Sequence, residues 1–262
     1  MVEISIIGIY FTFVLGVGVY SAFKIKTPGD YYVAGKKAGI IQVSGSLLAT
    51  ILGGSAILGT IELSQKTGWA ALWFLFCAAL GLFVLVPFSK KVKRFGEYTL
   101  PELLGTFYGK KAETIASIII PFAWLGIVAA QIIAAAKILS SLGFVEYNIA
   151  AVISGVVFIV YTLFGGQLSI LKTDSLQAFL ILTGLAALLF FSLQNPVSLN
   201  IESFKINALI NSSFGLFDLL ILVLTYSVTF VVGPDIYSRL FCAKDENTAK
   251  KSVLTVADIL LS

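Results

Sequence analysis

The feature that most constrains this chain is a series of long segments without a single ionisable side chain. Residues 4–23, 38–61, 67–89 and 114–136 contain no Asp, Glu, Lys or Arg. Each is about as long as the roughly 20 helical residues that cross the hydrocarbon core of a bilayer. Strands of a transmembrane β-barrel alternate apolar and polar side chains, and these segments do not. The sequence therefore predicts an all-α integral membrane protein that crosses the cell membrane several times.

Composition and turn residues divide the chain into spans. The chain is 58% hydrophobic and 12% charged, whereas about a quarter of the residues of a soluble domain are charged. We predict about seven spans and the start of an eighth near Ser252, all in a single bundle over residues 1–262. The predicted spans are 3–23, 39–64, 68–89, 113–139, 147–164, 174–193 and 216–236. The eighth is about half the length of a span, which predicts a C-terminally truncated chain, and residues 194–215 are predicted to form a polar loop.

The basic residues predict the orientation. The net charge is +4, but the basic residues are spread over alternate connections instead of one solvated face, which argues against a nucleic-acid partner. All except Lys66, Lys137 and Lys205 fall on the same set of connections. The positive-inside rule then places these connections, including predicted loop residues Arg239 and Cys242, in the cytoplasm. The N-terminus is predicted to lie outside.

Signals of enzymatic chemistry are missing from the sequence. The chain contains no His, which excludes imidazole proton relays and His-ligated metal sites. No P-loop, dinucleotide-binding glycine pattern or nucleophile elbow occurs. The two cysteines, one in an apolar run and one in a predicted polar loop, are not expected to pair. We therefore predict neither an enzyme nor an organic cofactor.

Two predicted spans contain helix-weakening residues. Gly53-Gly54-Ser55 lies in the middle of the second span, where glycine costs about 1 kcal/mol relative to alanine. Unwound backbone at this depth can hold a cation, but small residues also allow close helix packing, and both interpretations remain open. The seventh span contains Thr225-Tyr226-Ser227 and, further on, Gly233-Pro234-Asp235. This pattern indicates either a transporter site between two broken helices or an ordinary proline kink.

Few ionisable residues lie near the predicted spans. Glu62, Lys137 and Asp218 are close to span ends, where solvent exposure is the simpler interpretation. Asp174 is better placed for function. The sequence predicts that it opens the sixth span, so capping of that helix is the alternative to an ion-binding role.

Three segments together resemble the sodium:solute symporter family, which includes bacterial proline and pantothenate permeases and sodium-galactose transporters. The first is Asp30-Tyr-Tyr-Val-Ala-Gly-Lys-Lys-Ala-Gly39. The second is Tyr161-Thr-Leu-Phe-Gly-Gly-Gln-Leu-Ser169, followed by Thr173-Asp-Ser-Leu-Gln177. The third is Gly233-Pro-Asp-Ile-Tyr-Ser-Arg239. Their order and positions on the predicted helices make the resemblance specific.

The resemblance implies a fold of two inverted five-helix repeats after an extra N-terminal helix. The extra helix would occupy residues 1–24, the first repeat 39–193 and the start of the second 216–262, and about half the family pattern would be missing. Sodium would be the coupling ion, bound by the carbonyls of Ala49 and Leu52 and by hydroxyls of a later helix outside this chain. Asp174 would lie beside the cytoplasmic exit of the sodium path. The implied solute-binding residues are Gly53, Ser55, Ala56, Tyr226 and Phe230.

Departures from the family pattern leave the solute class open. Several members have polar or amide side chains where this chain has Ile51 and Ala56, and Gln167 replaces a bulky apolar residue. The resulting prediction is a sodium-coupled symporter for a small organic solute. Two alternatives are a membrane solute sensor and an inactive transporter fragment, and the missing C-terminal half is an expected partner.

Overall fold

A computed structural model describes residues 2–96, 98–143, 145–194 and 209–261 of the chain. Within these ranges the structure is helical apart from short connections, with two isolated backbone bridges and no longer strand. The helices are α1 Val2–Ala22, α2 Pro28–Val33, α3 Ile40–Ile51, α4 Gly54–Thr67, α5 Trp73–Phe95, α6 Leu100–Tyr108, α7 Lys110–Ser141, α8 Tyr147–Gln194, α9 Leu216–Leu222, α10 Val228–Val232, α11 Pro234–Cys242 and α12 Glu246–Leu261. The predicted loop 194–215 falls mostly on residues 195–208, which lie outside the described residues.

Five apolar helical stretches are long enough to cross a membrane. They are Ser5–Ala22, Gly54–Phe95, Lys110–Ser141, Tyr147–Gln194 and Leu216–Cys242. Two of them, of 42 and 48 residues, exceed the roughly 20 residues of one span about twofold. Each is interrupted by a glycine with positive φ, Gly68 or Gly166, so each long stretch corresponds to two predicted elements. The predicted eighth span corresponds to α12, which begins at Glu246, earlier than predicted.

Gly166 divides α8 into two segments. Its backbone (φ 50°, ψ −154°) is non-helical, and a Cβ there would lie 2.6 Å from the carbonyl oxygen of Tyr31. The second segment runs antiparallel to α1, because Lys172 contacts Ser21 while Gln177, further along, contacts Tyr10. The prediction of a loop over residues 165–173 was wrong, since the helix resumes directly after the glycine.

The buried core lies where α3, α5, α11 and α12 pack together. Its largest fully buried side chains include Leu47, Leu82, Leu85, Ile236, Leu240 and Phe241. The side chains named here come from α3, α5 and α11. The core therefore joins parts of the chain that are about 200 residues apart.

A short backbone bridge connects the start of α3 to the end of α11. The Ala38 N–H donates to the carbonyl of Cys242 at 3.1 Å, and the Lys244 N–H donates to the carbonyl of Ala38 at 2.9 Å. Lys93 Nζ donates to the carbonyl of Phe241 at 2.8 Å. Two predicted loop positions were therefore wrong: Cys242 is the fully buried last residue of α11, and Lys93 is a buried residue of α5. Both cysteines are free, as predicted.

The short helix α2 begins with a capping box. The Thr27 hydroxyl accepts from the Asp30 N–H, and the Asp30 carboxylate accepts from the Thr27 hydroxyl and from the N–H groups of Lys26 and Thr27. These hydrogen bonds to the charged form, led by that from the Thr27 hydroxyl, lower the pKa of Asp30. The capping box thus fixes the start of α2.

Candidate ion and solute site

The second predicted span is broken between α3 and α4. Gly53 is extended (φ −63°, ψ 165°) and is the N-cap residue of α4. In a continuous helix, the N–H groups of Ser55 and Ala56 would bond the carbonyls of Ile51 and Leu52. Instead, the Ser55 N–H donates to Gln131 Oε1 at 3.3 Å and the Ala56 N–H donates to the Gly53 carbonyl at 3.0 Å. The predicted interruption is confirmed, and it deprives the last carbonyls of α3 of their helical donors.

The seventh predicted span is interrupted twice. Residues Val223–Ser227 form a π-helical turn between α9 and α10, a feature that is frequent at functional sites. The chain then leaves helical geometry at Gly233 (φ −61°, ψ 123°), and α11 begins at Pro234. Both interruptions lie where glycine, proline and hydroxyl residues predicted them. The fold therefore contains two broken helices, each with one half on either side of its break.

The two broken helices meet the same core. Phe230 is buried and belongs to the apolar cluster that also contains Ala49 and Leu52, and Tyr226 packs against that cluster. The Tyr226 ring contacts Phe230, with centroids 5.1 Å apart. A Cβ on Gly81 of α5 would lie 2.3 Å from the carbonyl oxygen of Ser227, so α5 fits tightly against the π turn. Four of the predicted site residues, Ala49, Leu52, Tyr226 and Phe230, thus belong to or border one extended apolar cluster.

The other predicted solute residues lie on a different side of the break. Gly53, Ser55 and Ala56 are half-buried, and the Gln131 amide of α7 lies beside them. A Cβ on Gly53 would be 3.0 Å from Gln131 Nε2. No described contact joins these three residues to Tyr226. Gln131 was missed, although a lone amide within an apolar span was a usable signal.

Asp174 does not open a helix, so its predicted position at the start of the sixth span was wrong, and capping, the alternative to an ion-binding role, does not apply. It lies inside the second segment of α8 and is 7% exposed. The Ser46 hydroxyl of α3 donates to Asp174 Oδ2 at 2.5 Å. Arg239 Nη2 of α11 lies 3.6 Å from the same oxygen. The carboxylate thus connects three helices, including one half of each broken helix.

Arg239 was also misplaced by the sequence prediction. It lies in α11 and not in a loop, with its side chain 15% exposed. Its Nη1 donates to the Ser238 hydroxyl at 2.9 Å and to the Asp235 carbonyl at 3.4 Å. Removing one member of a buried ion pair leaves an uncompensated charge, which costs about 3–5 kcal/mol. The Asp174–Arg239 pair is therefore a strong constraint on how α8 and α11 sit together.

Asp218 is exposed, as expected for an ionisable residue near a span end. Its Oδ2 accepts the Gly215 N–H at 2.8 Å at the start of α9. Among the described residues, no group of three or more Cys, Asp and Glu side chains is placed to hold a metal ion. The polar atoms available to a cation in this region are consequently backbone carbonyls, hydroxyls, the Gln131 amide oxygen and the carboxylates of Asp174 and Asp235.

Comparisons with known proteins agree with this geometry. The profile of the Sodium:solute symporter family matches residues 31–261 of the chain. A solved structure of a Na⁺-coupled sialic acid symporter, in a substrate-bound outward-open state with a novel Na⁺ site, superposes with a TM-score of 0.80 at 20% sequence identity. The match covers 100% of this chain and 57% of that structure's chain. At this identity the likeness shows the fold, which is that of an all-α membrane transporter.

Proposed function

The chain belongs to the sodium:solute symporter family, and from this membership we propose that it acts in sodium-coupled uptake of a small organic solute by alternating access. The family and the matched structure are transporters and not enzymes. Since the chain spans 57% of the length of that structure, the activity is proposed for the complete transporter. We propose that this transporter includes helices beyond those described above.

One observation carries the proposal: a buried carboxylate joins both broken helices. An ionisable residue inside an apolar bundle is costly, and it is usually retained for an ion or substrate pathway. Asp174 contacts Ser46 of α3 and Arg239 of α11 through the same oxygen. A cation bound there would change the attraction between three helices. This is the coupling that an ion-driven conformational change requires.

Sodium is proposed to bind the carbonyls of Ala49 and Leu52, with Asp174 nearby. The break removes the helical donor of the Leu52 carbonyl, because the Ala56 N–H donates to the Gly53 carbonyl instead. Two carbonyls cannot replace the hydration shell of a hard cation, so further oxygens must complete the site. Hydroxyls of a later helix, in an expected C-terminal half, are proposed to supply them.

The solute is proposed to lie at the two breaks. Gly53, Ser55 and Ala56 offer backbone groups and a hydroxyl, while Tyr226 and Phe230 offer aromatic surface. One monovalent cation that crosses about 100 mV yields about 2.3 kcal/mol. This free energy concentrates a neutral solute about fifty-fold before any chemical gradient of sodium is counted. Sodium coupling is therefore sufficient for uptake of a small solute.

The test is uptake of labelled solutes by vesicles that contain the complete transporter, with and without an inward sodium gradient. Gradient-dependent accumulation supports the proposal. Sodium-dependent binding without accumulation would favour a solute sensor, and neither binding nor accumulation would favour an inactive protein. Either of the last two results overturns symport.

The orientation, with the N-terminus outside, remains a proposal that rests on the positive-inside rule. Cys242 is fully buried, so its labelling cannot report the side of the membrane. Single cysteines at the exposed residues Lys111 and Ser141 are suitable instead, with both native cysteines replaced. An impermeant thiol reagent added to intact cells should label Cys at 141 and leave Cys at 111 unlabelled. The reverse pattern would invert the topology.

A further inference from the structure

We propose that Arg239 competes with the coupling cation for Asp174. Its guanidinium neutralises the Asp174 carboxylate in the packed state and moves to the Asp235 carboxylate when a cation binds Asp174. This inference rests on the proposed function, because it assigns Asp174 to the cation. It adds a role for two residues of α11. Asp235 becomes the second binding position of the guanidinium, and Arg239 becomes a competitor of the ion.

Two orphaned polar atoms point to this exchange. Asp235 Oδ1 and Arg239 Nε are both buried and lack a hydrogen-bond partner. A buried polar atom without a partner costs about 1–3 kcal/mol. Of the seven such atoms in the described residues, these two are the ones that belong to charged side chains. One is an acceptor and the other a donor, and four residues separate them on α11, so they lie on one helix face. Each is the missing partner that the other needs.

The local backbone holds the two groups apart in this state. A Cβ on Gly233 would lie 2.6 Å from Asp235 Oδ1 and 2.6 Å from the carbonyl oxygen of Thr229. Asp235 Oδ1 thus lies against Gly233 at the break, and the Asp235 carboxylate forms no ion pair with Arg239 within 4.0 Å. Meanwhile Arg239 Nη1 already donates to the Asp235 carbonyl at 3.4 Å. Transfer therefore needs rotation of two side chains and no movement of α11 itself.

The charges explain why a second carboxylate is useful. Asp174, Asp235 and Arg239 are two carboxylates and one guanidinium, which leaves one negative charge uncompensated. Within the described part of the chain, Arg239 is the one basic group within 4.0 Å of the Asp174 carboxylate. One monovalent cation would make the cluster neutral. Without Asp235, a cation at Asp174 would leave the guanidinium buried and unpaired, a state that strongly disfavours cation binding.

The first test needs no sodium. In the Asp174→Asn protein the guanidinium should already have moved to Asp235. Adding Asp235→Asn should then lower the unfolding temperature by about 3 °C more than it does in the wild type. Asp258→Asn, an exposed residue of α12, is the matched control and should give the same small shift in both backgrounds. Equal shifts for Asp235→Asn in both backgrounds would overturn the exchange, because they would mark Asp235 as a simple structural residue.

The second test measures sodium dependence in the complete transporter. Asp235→Asn should raise the half-saturating sodium concentration about ten-fold, because the state with Asp174 free becomes rarer. Asp235→Glu keeps the charge and should largely restore the wild-type value. In an Arg239→Gln protein, Asp235→Asn should have no further effect, since no guanidinium remains to be received. A ten-fold effect that persists without Arg239 would contradict the exchange.

The two tests separate the inference from the proposed function. Suppose that Asp235→Asn lowers the unfolding temperature more in the Asp174→Asn background but leaves the half-saturating sodium concentration unchanged. This result would uphold the exchange of Arg239 and overturn sodium binding at Asp174. Equal shifts in unfolding temperature in both backgrounds would overturn the exchange, whatever the sodium dependence.

Discussion

Each broken helix has one half that is packed and one that is open, and the contrast is the same for both. In α3, the buried residues are Val43, Ser44, Ser46, Leu47, Leu48, Ala49 and Ile51, whereas in α4 only Thr67 is buried. In α11, Ile236, Leu240, Phe241 and Cys242 are buried, whereas the half before Gly233 buries only Ser227 and Phe230 and α9 has no buried residue. The breaks at Gly53 and Gly233 therefore lie at the boundary between a closed side and an open side of the described bundle.

This contrast shows what the breaks are for. A continuous helix would transmit packing on one side directly to the other, while a break allows one half to stay fixed as the other is exposed. The closed side holds the buried polar cluster of Asp174, Ser46 and Arg239. The open side holds the half-buried residues near Gln131. In the proposed mechanism, ion-dependent packing and solute access are thus divided between the two halves of the same helices.

The largest expected effect is at the boundary itself. Gly53→Leu should abolish sodium-dependent solute binding in the complete transporter, because the side chain would meet Gln131, whose Nε2 is 3.0 Å from the Cβ position. Gly59→Leu is the matched control on α4, since a Cβ there has no atom within 4 Å, and it should bind normally. Equal binding by both variants would show that the first break is not part of the site.

A slightly smaller effect is expected on the closed side. Asp174→Asn removes the charge but keeps an acceptor for Ser46, so the half-saturating sodium concentration should rise about a hundred-fold, equivalent to about 2.7 kcal/mol. Sodium-dependent uptake measures it, with Asp258→Asn as the control. Helix capping no longer competes as an explanation. Unchanged sodium affinity would reduce the closed side to a structural support.

Substitutions of two glycines separate the contribution of packing on the closed side from the contribution of backbone strain to the free energy of unfolding. Gly166→Ala should lower the free energy of unfolding by about 3 kcal/mol, because a residue at φ 50° is strained and the Cβ would clash with Tyr31. Gly143→Ala, also at positive φ (75°) but in open space, should cost only about 1 kcal/mol. Denaturation of both variants measures the difference. Equal losses would remove the proposed contribution of the Tyr31 contact.

The smallest effect concerns the capping box that leads into the closed side. Hydrogen bonds lower the folded-state pKa of Asp30, so its contribution to stability is present above the pKa of the unfolded chain. It is lost as the pH falls through the folded-state pKa. Asp30→Asn should therefore flatten the acid limb of the unfolding temperature against pH. A wild-type and variant curve of the same shape would contradict the assignment.

Hydropathy predicted the helices and the breaks but not the difference between their halves. The spans followed from charge-free runs, and the breaks at Gly53 and Gly233 followed from residues that weaken helices. Both halves of each broken helix are apolar, so composition does not distinguish burial against protein from exposure to lipid. That distinction depends on which helices pack together.

The polar cluster was beyond sequence reasoning for a related reason. Ser46, Asp174 and Arg239 come from helices that are far apart in the chain, and no local pattern pairs them. Lys93 and Arg239 were assigned to loops because a charge was taken to mark the end of a span. In the structure their charged groups reach carbonyls or carboxylates inside the bundle. Long basic side chains allow a helix to continue past such a charge.

The bridge between Ala38 and Ala243 joins the two closed halves through their backbones. Its hydrogen bonds connect main-chain groups at the start of α3 and the end of α11, so separating the two halves would break both bonds. Because only backbone atoms take part, the bridge does not depend on the side chains at these positions, except that proline cannot replace a residue whose N–H donates. In the proposed transporter, side chains that recognise the solute can therefore change without altering this backbone connection.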